Sequence, residues 1–200
     1  MADAGAHWLH VVDMALALDR RHANVSVIAD IVAAAPAVRV QASGGIADEH
    51  DARAYLDAGA ARVVLGSVGL ADAQEAERLL ERYGSEIVVG LEVAEGRIRS
   101  RGVRRIELDL MSTIGWAAAV GAAAFLVTAT GRVGGLGGPD EGLIRRVVRS
   151  GRPVFAAGGI ASVADLRAVR DAGGAGAVVG RAALGGELDM THAFEWAATA

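Results

Sequence analysis

Two glycine-rich stretches of this 200-residue chain have the residue types and spacing to hold phosphate groups. Val-Gln-Ala-Ser-Gly-Gly-Ile-Ala begins at Val40, and Val-Phe-Ala-Ala-Gly-Gly-Ile-Ala begins at Val154. In each stretch the glycine pair follows a strand pattern and precedes a helical pattern, and a second glycine turn follows the next strand. Backbone N–H groups at such turns and at helix N-termini bind anions. The sequence therefore predicts two phosphate sites, one built from Gly44, Gly45, Gly66 and Ser67 and one from Gly158, Gly159, Gly180 and Arg181.

The two stretches belong to one long internal repeat. Gly44 recurs as Gly158, and the same offset of 114 positions holds along the whole unit. A gap-free match of this length indicates duplicated architecture and not composition bias. The glycines alone would also suit tight connections that bind no ligand, but their recurrence in one register favours phosphate binding. The other matching pairs are Asp51 with Asp165, Arg53 with Arg167, Asp57 with Asp171, Gly59 with Gly173 and Gly66 with Gly180.

Strand and helix patterns alternate along the chain with short connections, which is typical of an α/β protein with a parallel sheet. Together with the repeat, this alternation predicts a (β/α)8 TIM-type barrel of two half-barrel repeats. The strand at Glu86–Val93 opens the second half, and its partner in the first half would lie before Met1. We therefore expect one barrel domain over residues 1–200, incomplete at the N-terminus, in which the first strand and most of the first helix are missing and Met1–Ala6 is a helix end. The seven predicted strands are Trp8–Asp13, Val38–Ala42, Arg62–Leu65, Glu86–Val93, Ala124–Thr128, Pro153–Ala157 and Ala175–Val179.

The gap left by a missing strand has a predicted consequence for association. The strands at Trp8–Asp13 and Ala175–Val179 would flank the gap, each with an edge of unpaired backbone donors and acceptors. Apolar surface at Val11 and Val178 would be exposed beside these edges. The sequence therefore predicts low solubility or self-association through the strand edges.

Composition narrows the classes of function. With 52% hydrophobic and 22% charged residues, the chain can bury a substantial core and is not a disordered protein. The net charge of −4 argues against nucleic acid as a partner, because phosphate backbones require a basic surface. The absence of cysteine removes disulfides, thiolate metal sites and a cysteine nucleophile. The five histidines show no metal-ligand spacing, and neither a membrane-length apolar run nor a signal peptide is apparent, so we expect no metal, no membrane association and a cytoplasmic location.

An ordered set of motifs carries a family resemblance. The motifs are Leu-His-Val-Val-Asp from Leu9, Ser-Gly-Gly-Ile from Ser43, Leu-Gly-Ser from Leu65, Gly-Leu-Glu-Val from Gly90, Ala-Gly-Gly-Ile from Ala157 and Val-Gly-Arg from Val179. In these the chain resembles the phosphoribosyl isomerases of histidine biosynthesis, the HisA/PriA family. The resemblance implies a barrel that binds a bis-phosphorylated phosphoribosyl-aminoimidazole carboxamide. It also implies an Amadori aldose–ketose isomerisation without metal or cofactor, and for some members a second role in tryptophan biosynthesis.

The phosphate-binding motifs of the family are retained in this sequence, but most of its catalytic carboxylates are not. The resemblance implies one catalytic carboxylate on the first strand, which we expect to be missing, and a second in a Val-Thr-Asp context. Here that context reads Val-Thr-Ala, with Ala129 at the acid position. The Asp of the family's Gly-Leu-Asp-Val is Glu92, and a Trp of the broader-specificity pocket is Val103. Of the family's Val-Asp-Leu-Asp carboxylates, only Asp13 remains, since the other is Ala15.

The remaining candidates for catalysis are Asp13 and Glu92, and each has a second interpretation. Asp13 ends a strand at the expected active-site rim, where a carboxylate also suits a helix cap or a loop brace. Glu92 is either a substitute acid/base or a substrate-binding group. The Gly131–Gly138 loop is either a lid over the ligand or a degenerate lid. Two functions therefore stay open: a phosphoribosyl isomerase impaired in turnover, or a non-catalytic paralogue that binds a phosphosugar or a partner.

Overall fold

The computed structural model describes residues 5–100 and 105–199, in which seven parallel strands form a nearly closed barrel. Val103 and most of the predicted helix end at Met1–Ala6 lie outside the described residues. Neighbouring strands pair in the order β1, β2, β3, β4, β7, β8, β9, with every pairing along this path parallel. The strands are β1 (Trp8–Val12), β2 (Arg39–Ser43), β3 (Arg62–Leu65), β4 (Ile87–Ala94), β7 (Ala124–Ala129), β8 (Val154–Ala157) and β9 (Gly176–Val178).

Two short strands extend the sheet beside β4. β5 (Arg97–Arg99) pairs antiparallel with β4, and β6 (Glu107–Asp109) pairs antiparallel with β5. The helix that follows begins at Leu110, because Glu107–Asp109 continues the sheet and Asp109 caps the helix by accepting from the Ser112 amide.

Helices follow the strands of the barrel in strict succession. They are α1 (Met14–Asp19), α2 (Val25–Ala34), α3 (Glu49–Asp57), α4 (Ser67–Leu70), α5 (Ala73–Tyr83), α6 (Leu110–Val120), α7 (Glu141–Val148), α8 (Val163–Asp171), α9 (Arg181–Gly185) and α10 (Met190–Thr199), with 3-10 turns at Gly84–Glu86 and Thr130–Arg132. Among the described residues no helix is long and apolar enough to cross a membrane.

The half-barrel repeat is visible in the boundaries of the helices. Both ends of α3 and α8 differ by the same offset of 114 positions that relates the glycine turns. Their caps also correspond, since the Asp48 carboxylate accepts from the Asp51 amide and the Ser162 hydroxyl accepts from the Asp165 amide. Side-chain caps of this kind satisfy backbone donors that a helix leaves unpaired at its N-terminus. The duplicated sequence therefore folds into duplicated βαβ units.

The core has two layers because successive strand residues face opposite sides of the sheet. The larger apolar cluster lies between strands and helices and includes Leu65, Val89 and Phe125. A smaller cluster of Val64, Val88, Ala124 and Leu126 fills the barrel interior, with Phe155, Ala157 and Val178 packed against it.

The N-terminal end of the barrel is bridged by stacked side chains. The Arg62 guanidinium lies 3.9 Å from the ring centroid of Trp8 and 4.6 Å from that of Phe155. Trp8 belongs to β1 and Phe155 to β8, so the stack reaches across the seam at which β1 and β9 end the sheet. Among the described residues no strand pairs with the outer edge of β1 or of β9.

The exposed apolar surface beside β1 differs from the predicted one. Val11 and Val178 are half-buried, because Val11 packs against the outer core and Val178 against the interior cluster. The exposed side chains are instead Val12, Met14 and Leu18, at the end of β1 and along α1. This surface adjoins the unpaired edge of β1.

We expect the chain to self-associate through the β1 edge and this adjoining surface, because both carry groups that another strand would satisfy. The double substitution Met14→Lys with Leu18→Lys should shift the population towards monomer, as measured by size-exclusion chromatography with light scattering. Leu184→Lys is the matched control, since Leu184 is an exposed leucine on α9. A wild-type chain that stays monomeric across a wide concentration range would contradict this expectation.

Candidate active site

A cleft of about 240 Å³ opens where the strands of the barrel end. Parallel strands place their carboxyl ends on one face, and this is the face that carries active sites in barrels. The cleft is lined from β1 to β4 and by β7, with α1 forming one wall. Its polar or backbone-exposing residues are His10, Ser43, Gly44, Gly45, Gly66, Ser67, Gly90, Glu92, Ser100 and Thr128.

The first glycine turn borders this cleft in a conformation that requires glycine. Gly44 and Gly45 have φ angles of +107° and +73°. A Cβ on Gly44 would lie 2.4 Å from the Asp13 carbonyl oxygen, and one on Gly45 would lie 2.7 Å from the Ala17 Cα. Ser67, the first residue of α4, is 3% exposed and also lines the cleft. The structure therefore brings all members of the first predicted phosphate site to one cleft wall.

The second glycine turn has the same backbone conformation but different surroundings. Gly158 and Gly159 have φ angles of +100° and +83°. A Cβ on Gly158 would lie 2.8 Å from the Ala129 carbonyl oxygen, and the Gly138 amide donates to the Gly159 carbonyl over 3.0 Å. This set does not line the cleft described above. The turn instead lies against the Gly131–Gly138 loop.

Two arginines hold the Gly131–Gly138 loop. Arg181 Nη1 donates to the Gly134 carbonyl over 2.7 Å, so the arginine predicted to bind phosphate contacts the loop in this structure. Arg132 Nη1 donates to the carbonyls of Gly137 and Gly138 over 3.2 Å and 3.1 Å. The glycine-rich loop thus has fixed contacts on the second half of the barrel.

Glu92 is the carboxylate that faces the cleft. It lies near the end of β4, half-buried, and its Cα pairs with that of Thr128 on β7. Ala129, the position of the family acid, follows Thr128 and is 8% exposed within the apolar cluster beneath the helices. Thr128 and not Ala129 therefore lines the cleft on β7.

Asp13 is buried behind the cleft and holds four hydrogen bonds. Its Oδ1 accepts from the amides of Ala15 and Leu16 over 2.8 Å and 3.0 Å and from Asn24 Nδ2 over 2.8 Å. Its Oδ2 accepts from the Tyr55 hydroxyl over 2.6 Å. Burial works against the charged form, but these hydrogen bonds outweigh it and lower the pKa of Asp13. The geometry favours the helix-cap and loop-brace interpretation over direct contact with a ligand.

His10 forms part of the cleft floor as a neutral imidazole. Burial, together with the charge of Arg62, lowers the pKa of His10 to about 4. Its Nδ1 lies 2.7 Å from Gln41 Nε2, so the amide donates to the ring. Among the described residues, no group of three or more His, Asp or Glu side chains is placed to hold a metal ion.

Sequence reasoning missed a network behind the first glycine turn. It consists of Arg20 and His22, which follow α1, and of Asp51 in the first turn of α3, about 30 positions further along the chain. The available signal was the repeat itself, since Asp51 and Asp165 occupy matching positions. The arginine and histidine have no such signal.

Comparison with known proteins identifies the family. The family model described as "Histidine biosynthesis protein" matches residues 1–189. The chain belongs to this family. Its relatives include proteins named 1-(5-phosphoribosyl)-5-((5-phosphoribosylamino)methylideneamino) imidazole-4-carboxamide isomerase.

These relatives match most of the chain. The isomerase of Acidothermus cellulolyticus is 38% identical over 194 residues, which cover 95% of this chain and 80% of the relative. That of Salinispora tropica is 36% identical over 200 residues, covering 98% and 82%. That of Methanothrix thermoacetophila is 37% identical over 201 residues, covering 99% and 83%.

The Asp13 network predicts a pH-dependent contribution to stability. Asp13→Ala should lower the free energy of unfolding by roughly 2–4 kcal/mol, because a helix cap is lost and the buried Tyr55 hydroxyl is left without an acceptor. Asp13→Asn keeps a capping oxygen and should cost less. Since the folded-state pKa of Asp13 is lowered, its contribution is full above the ordinary aspartate pKa and is lost as pH falls through the folded value.

Urea unfolding between pH 3 and pH 7 measures this effect. The difference in unfolding free energy between the wild-type protein and Asp13→Ala should become smaller as the pH falls. The matched control is Asp19→Ala, because Asp19 is an exposed carboxylate in the same segment that pairs only with exposed Arg21 among the described contacts. Equal, small losses for Asp13→Ala and Asp19→Ala would rule out the bracing role.

Proposed function

We propose that this chain is an aldose–ketose isomerase of histidine biosynthesis that acts on the bis-phosphoribosyl imidazole carboxamide for which its relatives are named. One observation carries the proposal. The first glycine turn and Glu92 border the same cleft, so an anion-holding backbone and a carboxylate meet within reach of one small ligand.

In this proposal each of the two phosphate groups of the ligand binds at its own glycine turn. Gly44, Gly45, Gly66 and Ser67 take one phosphate at the cleft. Gly158, Gly159, Gly180 and Arg181 take the other, and Arg181 exchanges its contact with the Gly134 carbonyl for the phosphate. An arginine donates to phosphate oxygens more strongly than to a neutral carbonyl, so the exchange is favourable.

The chemistry requires proton transfers at several atoms of the sugar. An Amadori isomerisation protonates the ring oxygen as the ring opens and then removes the proton at C2, which gives an enaminol. The enaminol becomes the ketose when C1 takes up a proton and the C2 hydroxyl loses one. Glu92 is the cleft-facing carboxylate on β4 and takes part as the acid/base group in our proposal, while Asp13 holds the start of α1 in place. Ala129 transfers no proton, so turnover is impaired in proportion to the missing group, typically by about 10²–10⁴-fold.

A second candidate function rests on a specific observation. Asp13 has its lone pairs engaged by four donors, and the side chain at position 129 is a methyl group in an apolar cluster. Both features suit a barrel that binds a phosphosugar without converting it. The two functions differ in turnover and not in affinity.

Glu92→Gln should therefore lower kcat for isomerisation of the bis-phosphoribosyl substrate by about 10²-fold or more, with a small change in KM. The amide preserves shape and removes the ability to exchange a proton. Isomerisation can be followed by chromatographic separation of the aldose and ketose forms.

The control for this substitution is Glu86→Gln, which changes an exposed glutamate in the 3-10 turn just before β4 begins. Turnover that survives Glu92→Gln unchanged would remove Glu92 from the mechanism. Substrate binding by the wild-type chain without any turnover would favour the non-catalytic function.

Crystals soaked in sulfate or in the bis-phosphorylated substrate should show density at both glycine turns, because the two turns share one backbone conformation. Replacing Ser67 by Ala should weaken anion binding at the first turn alone, by about fivefold for one lost hydrogen bond. Ser85→Ala is the matched control, since Ser85 is exposed far from either turn in the sequence. Density at neither turn would contradict the assignment of phosphate sites.

A further inference from the structure

Asp51 is the buried centre of a polar network behind the first glycine turn. The residue is 1% exposed. Its Oδ2 accepts from Arg20 Nη2 over 2.6 Å and from the Ala47 amide over 2.9 Å, and its Oδ1 lies 2.7 Å from His22 Nε2. Arg20 also donates through Nη1 to the Gly45 carbonyl. The guanidinium therefore bridges a buried carboxylate and the glycine turn itself.

The second half of the barrel holds the equivalent groups by other means. Asp165 Oδ2 accepts from the Ala161 amide over 2.9 Å, as Asp51 does from Ala47. The Gly159 carbonyl, which matches that of Gly45, accepts from the Gly138 amide over 3.0 Å. In both halves the carbonyl of the second glycine is thus fixed from outside the turn. Only in the first half, among the described residues, is the donor an arginine side chain.

Fixing this carbonyl determines where the next amide points. A trans peptide places its C=O and N–H on opposite sides, and the described residues contain no cis peptide bond. The Gly45 carbonyl is directed to Arg20, so the Ile46 N–H is directed the opposite way. Ile46 borders the cleft and is 1% exposed, and its N–H has no protein acceptor among the described hydrogen bonds. The amide is therefore an unpaired donor beside the cleft.

We propose that Arg20 is a positioning residue for the first anion site. By linking the Gly45 carbonyl to Asp51, it holds the Gly45–Ile46 peptide with its N–H towards the cleft, and it does so without touching the anion. Glycine pairs have wide conformational freedom, so an unrestrained turn would lose entropy on binding. This role rests on the proposed function, because it requires that the first turn bind a phosphate group.

The test is a titration of 15N-labelled protein with inorganic phosphate, in which the amide shifts of Gly44, Gly45 and Ile46 report the first turn. Arg20→Ala should raise Kd at this turn about tenfold, since a restrained donor to an anion is replaced by a mobile one. The shifts of Gly158 and Gly159 report the second turn in the same sample. Their Kd should not change, which also shows that the variant is folded.

Two further variants separate geometry from charge. Arg21→Ala removes one positive charge from the next residue, whose side chain is exposed and pairs with Asp19, and should leave Kd at the first turn unchanged. Arg20→Lys keeps the charge but lacks the planar fork that reaches Gly45 and Asp51 together, so its Kd should stay close to that of Arg20→Ala.

Each result has a distinct meaning. Wild-type protein that shows no saturable shifts at the first turn would overturn the proposed phosphate site and the role of Arg20 with it. Wild-type binding that Arg20→Ala leaves intact would overturn the positioning role alone. Full recovery in Arg20→Lys would show that charge and not peptide orientation is responsible, and would equally overturn the proposal. If Arg20→Ala fails to fold, the milder Arg20→Lys decides between the same outcomes.

Discussion

The architecture depends on the contact between each glycine turn and the backbone that ends the neighbouring strand. At the first turn there is no room for a Cβ against the Asp13 carbonyl, and at the second the same holds against the Ala129 carbonyl. The contact forces glycine and a left-handed φ at both places. The ends of the strands and the first turn together form the rim of the cleft. The buried hydrogen bonds of Asp13 lie directly beneath this rim and keep α1 against it.

Sequence reasoning predicted the barrel well because its signals are local. The strands begin and end within a residue or two of the expected positions, since apolar runs are bounded by glycine and proline. The offset of 114 positions predicted the matching limits of α3 and α8. The Gly44 and Ser67 turns meet at one cleft because parallel strands end on one face. These inferences required no knowledge of side-chain contacts.

The parts that sequence did not predict depend on contacts between distant residues. The sequence leaves Asp13 open between a catalytic role and a helix cap or loop brace, and no local pattern shows that it caps the short helix α1. The pairing of Arg20 with Asp51 joins residues 31 positions apart and has no local pattern. Val11 and Val178 are covered by packing that a strand edge does not reveal. The sequence places Ala129 at the position of the family acid, but only the structure shows that Thr128 lines the cleft beside it on β7.

The stack of Trp8, Arg62 and Phe155 links strands on the two sides of the seam at which the ring of paired strands is interrupted. Around most of the ring, adjacent strands are joined by ladders of backbone hydrogen bonds, but at this seam the described residues offer a cation held between two aromatic faces. Such contacts contribute roughly 0.5–2 kcal/mol each, which is about one to three times the thermal energy RT. Among the described residues, the seam is therefore held by weaker contacts than the paired strands around the rest of the ring. A ligand that spans both glycine turns would link the two halves of the barrel at the opposite rim.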